Sequence, residues 1–373
     1  MSETTTLPPV HHHEEQNYST GQAIGNWLKG QYALYILVAL LLVATLTRGG
    51  VFWSGTNLTN LLLQMSIIGV VTLAELIVVL TGGIDISVGS ALGLAAVLSA
   101  GLFGGPSVLL ALVVAIVVGG AVGAVNGWLV AYRGLEPFIV TLGMLALARG
   151  LVYAYGNGIP IIPEAAATFA TVGQTTIIGI PVLAIIWIVM VALISFLLYR
   201  TVWGRRVYAI GSNKEAARAS GIPVKATLWS VYILAGLLVG LGGWMFLARF
   251  AAGTSTAGNL LELEAIAAVV IGGARLSGGY GKVFGAVVGT VIFAVIANLL
   301  SLLNVSTFLQ DAFRGALILV AVALATVQFA RKRKPDIAQP SDASSPSDST
   351  PPSDASSPSD STPPSGSSQT AAK

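Results

Sequence analysis

Apolar runs of about twenty residues alternate along this chain with short polar or glycine-rich breaks. A run of about 20 apolar residues crosses a hydrocarbon core as a helix. The pattern predicts ten spans: Leu28–Thr47, Leu58–Leu80, Ile86–Phe103, Pro106–Ala131, Pro137–Tyr155, Val182–Tyr199, Ala226–Ala248, Leu263–Ala274, Val283–Leu303 and Phe308–Phe329. The third is short and the eighth very short, and each has a glycine-rich break at one end. The fold class expected is an all-α polytopic membrane protein. Residues 1–27 form a polar N-terminal tail expected to be disordered, 28–334 the membrane domain, and 335–373 a low-complexity tail. That tail carries SDASSPSDSTPP twice in tandem, at 341–352 and 353–364, and its composition cannot bury a core. No cleavable signal peptide precedes the first span, which is expected to stay as an anchor.

The one long charged interruption is 200–225, RTVWGRRVYAIGSNKEAARASGIPVK. It holds Arg200, Arg205, Arg206, Lys214, Arg218 and Lys225, six of the chain's nineteen Lys and Arg. Ala, Glu and Arg favour helix, so Asn213 to Ser220 predicts a short surface helix. Asn213 can cap its start, Gly221 can end it in a left-handed turn, and Pro223 forbids continuation. Such an element is either a docking knob or an ordinary basic loop.

With the N-terminus placed in the cytoplasm, inside segments hold Lys29, Arg133, the six loop residues, Arg275, Lys282 and Arg331-Lys332-Arg333-Lys334. Outside segments hold only Arg48 and Arg249. Positive charge stays inside, so both termini and the central loop are expected in the cytoplasm.

Composition agrees with a membrane protein: 54% hydrophobic, 9% charged and 43 Gly, against about 25% charged in soluble domains. Glycine-rich spans suit close helix packing. With no Cys, disulfides and thiolate sites are excluded. The His11-His12-His13 tract reads as solvated, and no metal site is expected. The net charge of +3 belongs to loops and does not suggest nucleic acid. Gly281-Lys282 is not a P-loop: Leu276 stands where Gly is required and Val283 where Ser or Thr is. No nucleophile–base set is visible, so the chain is not expected to be an enzyme.

Two breaks carry the candidate chemistry. The first is Thr81-Gly82-Gly83-Ile84-Asp85-Ile86-Ser87-Val88-Gly89-Ser90. Its counterpart is taken as Ile271-Gly272-Gly273-Ala274-Arg275-Leu276-Ser277-Gly278-Gly279-Tyr280-Gly281-Lys282. Each is followed by small residues, and each half later carries Arg-Gly within a span (Arg149-Gly150, Arg314-Gly315). The halves therefore read as weak repeats whose spans three and eight, five apart, run oppositely. Interrupted helices in matching positions mark a transport path, although a plain turn between spans gives the same pattern. Path or gate residues are taken as Gly82, Gly83, Asp85, Ser87, Gly89, Ser90, Gly272, Gly273 and Ser277. Glu75, Arg149, Asp311 and Arg314 are intramembrane charges, functional candidates by default. They can instead be structural: Asp311 and Arg314 stand at i,i+3, and Glu75 can pair with Arg149 or Arg314.

Two strings carry a family resemblance. Glu215-Ala216-Ala217, three residues, then Gly221 resembles the EAA loop of bacterial ABC importer permeases. Gly204, Val207-Tyr208-Ala209-Ile210-Gly211, Asn213, Ala216-Ala217 and Gly221-Ile222, together with GGIDISVGS, resemble the ribose-type (monosaccharide) permeases over about residues 30–330. The resemblance implies a permease subunit in the bacterial inner membrane. It implies that the central loop (Gly204, Tyr208, Gly211, Asn213, Glu215, Ala216, Ala217, Gly221) fits a cleft on a partner ATPase. ATP and Mg would then sit on that partner and no cofactor on this chain. It also implies a secreted solute-binding protein, a second permease copy as a homodimer, and a small polar solute. The competing class is an ion-coupled secondary transporter using Glu75, Asp85 and Asp311, which leaves the Glu-Ala-Ala–Gly loop unexplained.

Overall fold

The computed structural model describes residues 32–102, 106–306, 308–316 and 319. Both tails and most of the predicted tenth span lie outside them. Among the described residues the chain is helical apart from loops and one two-stranded hairpin. The helices are α1 (Tyr32–Phe52), α2 (Gly55–Val79), α3 (Val88–Gly101), α4 (Val108–Ala131), α5 (Pro137–Gly156), α6 (Ala166–Gln174), α7 (Val182–Arg200), α8 (Val202–Ser212), α9 (Lys214–Ala219), α10 (Val224–Phe250), α11 (Leu261–Ile271), α12 (Val283–Leu302) and α13 (308–316). The hairpin, β1 (Thr176–Ile177) and β2 (Ile180–Pro181), precedes α7.

Seven helices are long and apolar enough to cross a membrane: α1, α2, α4, α5, α7, α10 and α12. They coincide with seven of the predicted spans. The short third and eighth spans become α3, of 14 residues, and α11, of 11. Large apolar side chains such as Leu46, Leu109 and Ile139 face outward, as lipid contact requires.

α2 lies at the centre, buried along nearly its whole length, with α10, α12, α7 and α11 around it. α10 packs most extensively on α4. The reason is glycine: a Cβ at Gly119 or Gly123 of α4, or at Gly236 or Gly240 of α10, would overlap the facing backbone. Without a hydrophobic drive between helices in lipid, such close approach and interhelical hydrogen bonds hold the bundle. One such bond is reciprocal. Asn57 Nδ2 of α2 donates to Asn298 Oδ1 of α12 at 3.1 Å, and Asn298 Nδ2 donates back at 2.8 Å.

Three elements differ from the sequence reading. The central loop contains two helices, not one: α8 occupies a stretch for which no helix was predicted. Thr201 Oγ1 accepts from Gly204 N at 3.2 Å to cap it, and Gly204, Val207 and Ile210 are buried on one face at helical spacing. The segment 157–181, to which no element was assigned, contains α6 and the hairpin. Third, the predicted second break lies between α11 and α12, as the first lies between α2 and α3, and α11 is itself preceded by an irregular segment, 251–260, that was not singled out. It is bounded by Ala251 (φ 50) and Leu260 (φ 60), non-glycine residues in a region that costs L-residues roughly 1–2 kcal/mol. It lies along α3: Gly253 packs on Val97, Ala257 on Gly93 and Gly258 on Gly89.

Candidate coupling and translocation site

The central loop has the local chemistry its residues dictate. Asn213 ends α8 and caps α9, its Oδ1 accepting from Ala216 N at 2.9 Å. Glu215 and Arg218 pair at 2.7 Å on the exposed side of α9. Ala217 turns inward against Ile210, Val224 and Leu228. Gly221 takes φ 78, the left-handed turn expected of it, with open space where a Cβ would stand.

α8 reaches both glycine-rich breaks. A Cβ at Gly211 would overlap the Leu80 carbonyl and the Gly279 amide, which bond each other at 2.9 Å. Gly278 (φ 85) packs on the Gly82 amide and the Gly211 carbonyl, and Gly279 (φ 72) on Ser212. Three chain segments thus meet backbone to backbone, where no side chain fits between them. Tyr208 OH donates to Gly281 O at 2.8 Å, and Val283 N donates to Tyr199 OH at 2.9 Å, so α8 and α7 also hold the start of α12. Burial, with Tyr199 beside it, raises the Tyr208 phenol above its ordinary value and keeps it protonated as a donor.

The predicted path residues separate into two places. Gly82 and Ser277 touch each other at this junction, Gly273 (φ 89) turns the second break near Tyr32, and Gly272 packs on Gly285. Gly83 lies against the Tyr232 hydroxyl. Asp85, Ser87, Gly89 and Ser90 run deeper. Asp85 N donates to Glu75 Oε1 at 3.3 Å, and Asp85 Oδ1 accepts from Ser87 N (2.9 Å) and Ser87 Oγ (2.6 Å). Asn126 Nδ2 of α4 donates to Ser87 Oγ at 2.9 Å, and Ser90 Oγ to Ser87 O at 2.9 Å. Gly89 opens α3 against Gly258 and the Glu262 carboxylate. The first turns of the two short helices α3 and α11 therefore meet.

The intramembrane charges are only partly paired as expected. Arg314 bonds Asp311 at 3.4 Å, but its closer partner is Glu264 of α11, at 2.8 Å. Glu75 pairs with neither Arg149 nor Arg314. Arg149 instead donates to the carbonyls of Ser255 (3.0 Å) and Ala257 (2.9 Å), fixing the irregular segment 251–260. Helix geometry explains the change: Arg149 lies on the face of α5 that meets α3 and the turn at 255–257, away from Glu75 on α2.

The sequence reading missed Asn126, Tyr232, Glu262 and Glu264. Glu264 lies inside the predicted eighth span and Asn126 inside the fourth, so a polar residue within an apolar run was the available signal. Tyr232, Thr81, Gly82, Gly83, Glu136 and Lys214 line a cavity of about 210 Å³ beside the junction. Lys214 of the central loop and Tyr232 of α10 both border it.

Comparison with known proteins fits this arrangement. The family described as "Branched-chain amino acid transport system / permease component" matches residues 57–322. The chain is 39% identical over 305 residues to the ribose import permease protein of Bacillus subtilis (strain 168), covering 81% of this chain and 92% of that protein. It is 36% identical over 349 residues to the xylose transport system permease protein of Escherichia coli (strain K12), covering 77% and 88%. It is 38% identical over 275 residues to the D-allose transport system permease protein of the same strain, covering 73% and 84%. No solved structure matches. A glycine-jointed bundle of membrane-crossing helices, a capped basic loop locked onto its breaks, and these matches over most of its length have one explanation: the chain belongs to this family of transport-system permease components, in its ribose-type branch of ABC importer membrane subunits.

Proposed function

We propose that the chain forms the transmembrane path of an ATP-driven importer for a monosaccharide or similar small polar solute, and that α8–α9 couples it to a partner ATPase. One observation carries the reading: α8 is in backbone contact with both glycine-rich breaks at Leu80, Gly211 and Gly279. A displacement of α9 by a closing ATPase would therefore reach the breaks rigidly, with no flexible side chain to absorb it. ATP and Mg sit on the partner, and the solute arrives from an extracytoplasmic binding protein.

In this reading the bundle has ten spans. α3 and α11 are the half-helices of two inverted halves, meeting at Gly89 and Gly258 near the membrane midplane. Irregular backbone at such depth is tolerated where it is buried in protein or lines a wet cavity, which suits 80–87 and 251–260. The basic central loop lies in the cytoplasm with both termini, and a second copy completes the path. The solute is a pentose or hexose, by analogy with the ribose, xylose and allose relatives.

The test is reconstitution in proteoliposomes with the ATPase and binding protein encoded beside the chain. Uptake of labelled ribose, xylose or allose should require ATP and the binding protein. Uptake driven by an ion gradient without ATP would overturn this reading in favour of secondary transport.

A further inference from the structure

Glu75 is fully buried in α2, and Asp85 is buried beside it in the break. Among the described residues no Arg or Lys pairs with either. Burying a carboxylate without a counter-charge is costly. Asp85 has donors from Ser87 N and Ser87 Oγ on one oxygen, whereas Glu75 has only the Asp85 amide. Glu75 is therefore the group left to be neutralised.

Three buried oxygens around this pair have no partner: Glu75 Oε2, Asn126 Oδ1 and the Tyr232 hydroxyl. All three residues are more than nine-tenths buried. Asn126 Nδ2 bonds Ser87 Oγ, which in turn bonds Asp85, so the Asn126 amide borders the cluster. The Tyr232 hydroxyl lies against Gly83, two residues before Asp85, and Tyr232 borders the cavity that Lys214 also lines. An all-oxygen set with two carboxylates suits a hard cation. No group of three His, Cys, Asp or Glu that could hold a metal ion occurs among the described residues, so the set is poorer in charge than a divalent site requires.

We propose that Glu75, Asp85, Asn126 and Tyr232 bind one compact monovalent cation, Na⁺ or a proton, reached from the central-loop side through the cavity. The cation clamps the 80–87 segment onto α2 and α10. It thereby fixes the break that α8 contacts at Gly211.

The experiment uses the full chain in lipid nanodiscs, melted by tryptophan fluorescence. Two series are run: NaCl against choline chloride at equal ionic strength, and pH 5.5 to 8.5 in choline. A ligand that binds only the folded state raises Tm with its concentration. Bound Na⁺ should raise Tm saturably by about 4 °C or more. If the ligand is a proton, Tm is indifferent to Na⁺ and rises as pH falls, because the folded state holds a proton the unfolded chain releases. In either case Glu75→Gln should abolish the dependence and Asn126→Ala should weaken it.

Other ionisable groups face this region: Glu136 and Lys214 at the cavity and Glu262 beyond the first turn of α3; the helical spans of α3 and α4 have none. A pH dependence that persists unchanged in Glu75→Gln belongs to those groups and overturns the proposal. So does a wild-type Tm flat in both series, whether or not the variant inserts. Because no solute or ATP enters the measurement, the result stands apart from the transport reading.

Discussion

Gly211 is the residue where space is least available. Gly211→Ala places a methyl group into the Leu80 carbonyl and the Gly279 amide, and overpacking typically costs about 1–3 kcal/mol. The expected result is a lower Tm and ATP hydrolysis no longer stimulated by solute-loaded binding protein. Gly50→Ala, with nothing within 4 Å of its Cβ, should leave both unchanged. The Arg314–Glu264 pair makes a second test at this scale. Glu264 is buried, so Arg314→Leu leaves an uncompensated carboxylate, at a cost of about 3–5 kcal/mol. Arg314→Leu with Glu264→Leu should recover most of that Tm loss. If the double variant melts no higher than the single one, the pair is not what stabilises α11 against α13.

α9 is the element whose surface and whose end can be altered separately. Glu215→Lys breaks an exposed ion pair, worth only about 0–1 kcal/mol, so Tm should hardly move. It also reverses the charge at the proposed ATPase contact, and co-elution of the ATPase should be lost. Gly221 sits at φ 78 with free space around it, so its constraint is conformational alone. Gly221→Val, β-branched in a left-handed turn, should cost about 1 kcal/mol or more and uncouple transport. Gly221→Asn, which tolerates that region, should retain most uptake. Equal behaviour of Val and Asn would show that the turn does not set the position of α9.

For the whole molecule, the distribution of Lys and Arg predicts a reporter signal outside after Leu303 and inside after Lys334. An outside signal at Lys334 would contradict the ten-span topology. Removal of 336–373 should leave uptake intact, since that segment has almost no apolar residues to dock with. A large loss of uptake at normal membrane levels would assign the tail a role.

The span pattern, the Asn213 cap and the Gly221 turn are local properties, set by hydrophobic run length and by the conformational limits of single residues. They were legible in the sequence, and the cap, the turn and seven of the ten predicted spans recur among the described residues. α8 was not, because its periodicity covers only eleven residues and its basic side chains read as solvated loop. The pairing of Arg149 with the carbonyls of 255–257, of Arg314 with Glu264, and of Glu75 with the Asp85 amide was not legible either. A charge within a span announces that it needs a partner, but which partner it finds depends on how helices distant in sequence are rotated against one another. The packing of 251–260 along α3 was hidden for the same reason. The sequence by itself determined that this chain crosses a membrane many times around a basic, capped loop. Only the tertiary structure decided that this loop touches both breaks and that Glu75, Asn126 and Tyr232 are buried with unpartnered oxygens, because both arise from packing between segments far apart along the chain.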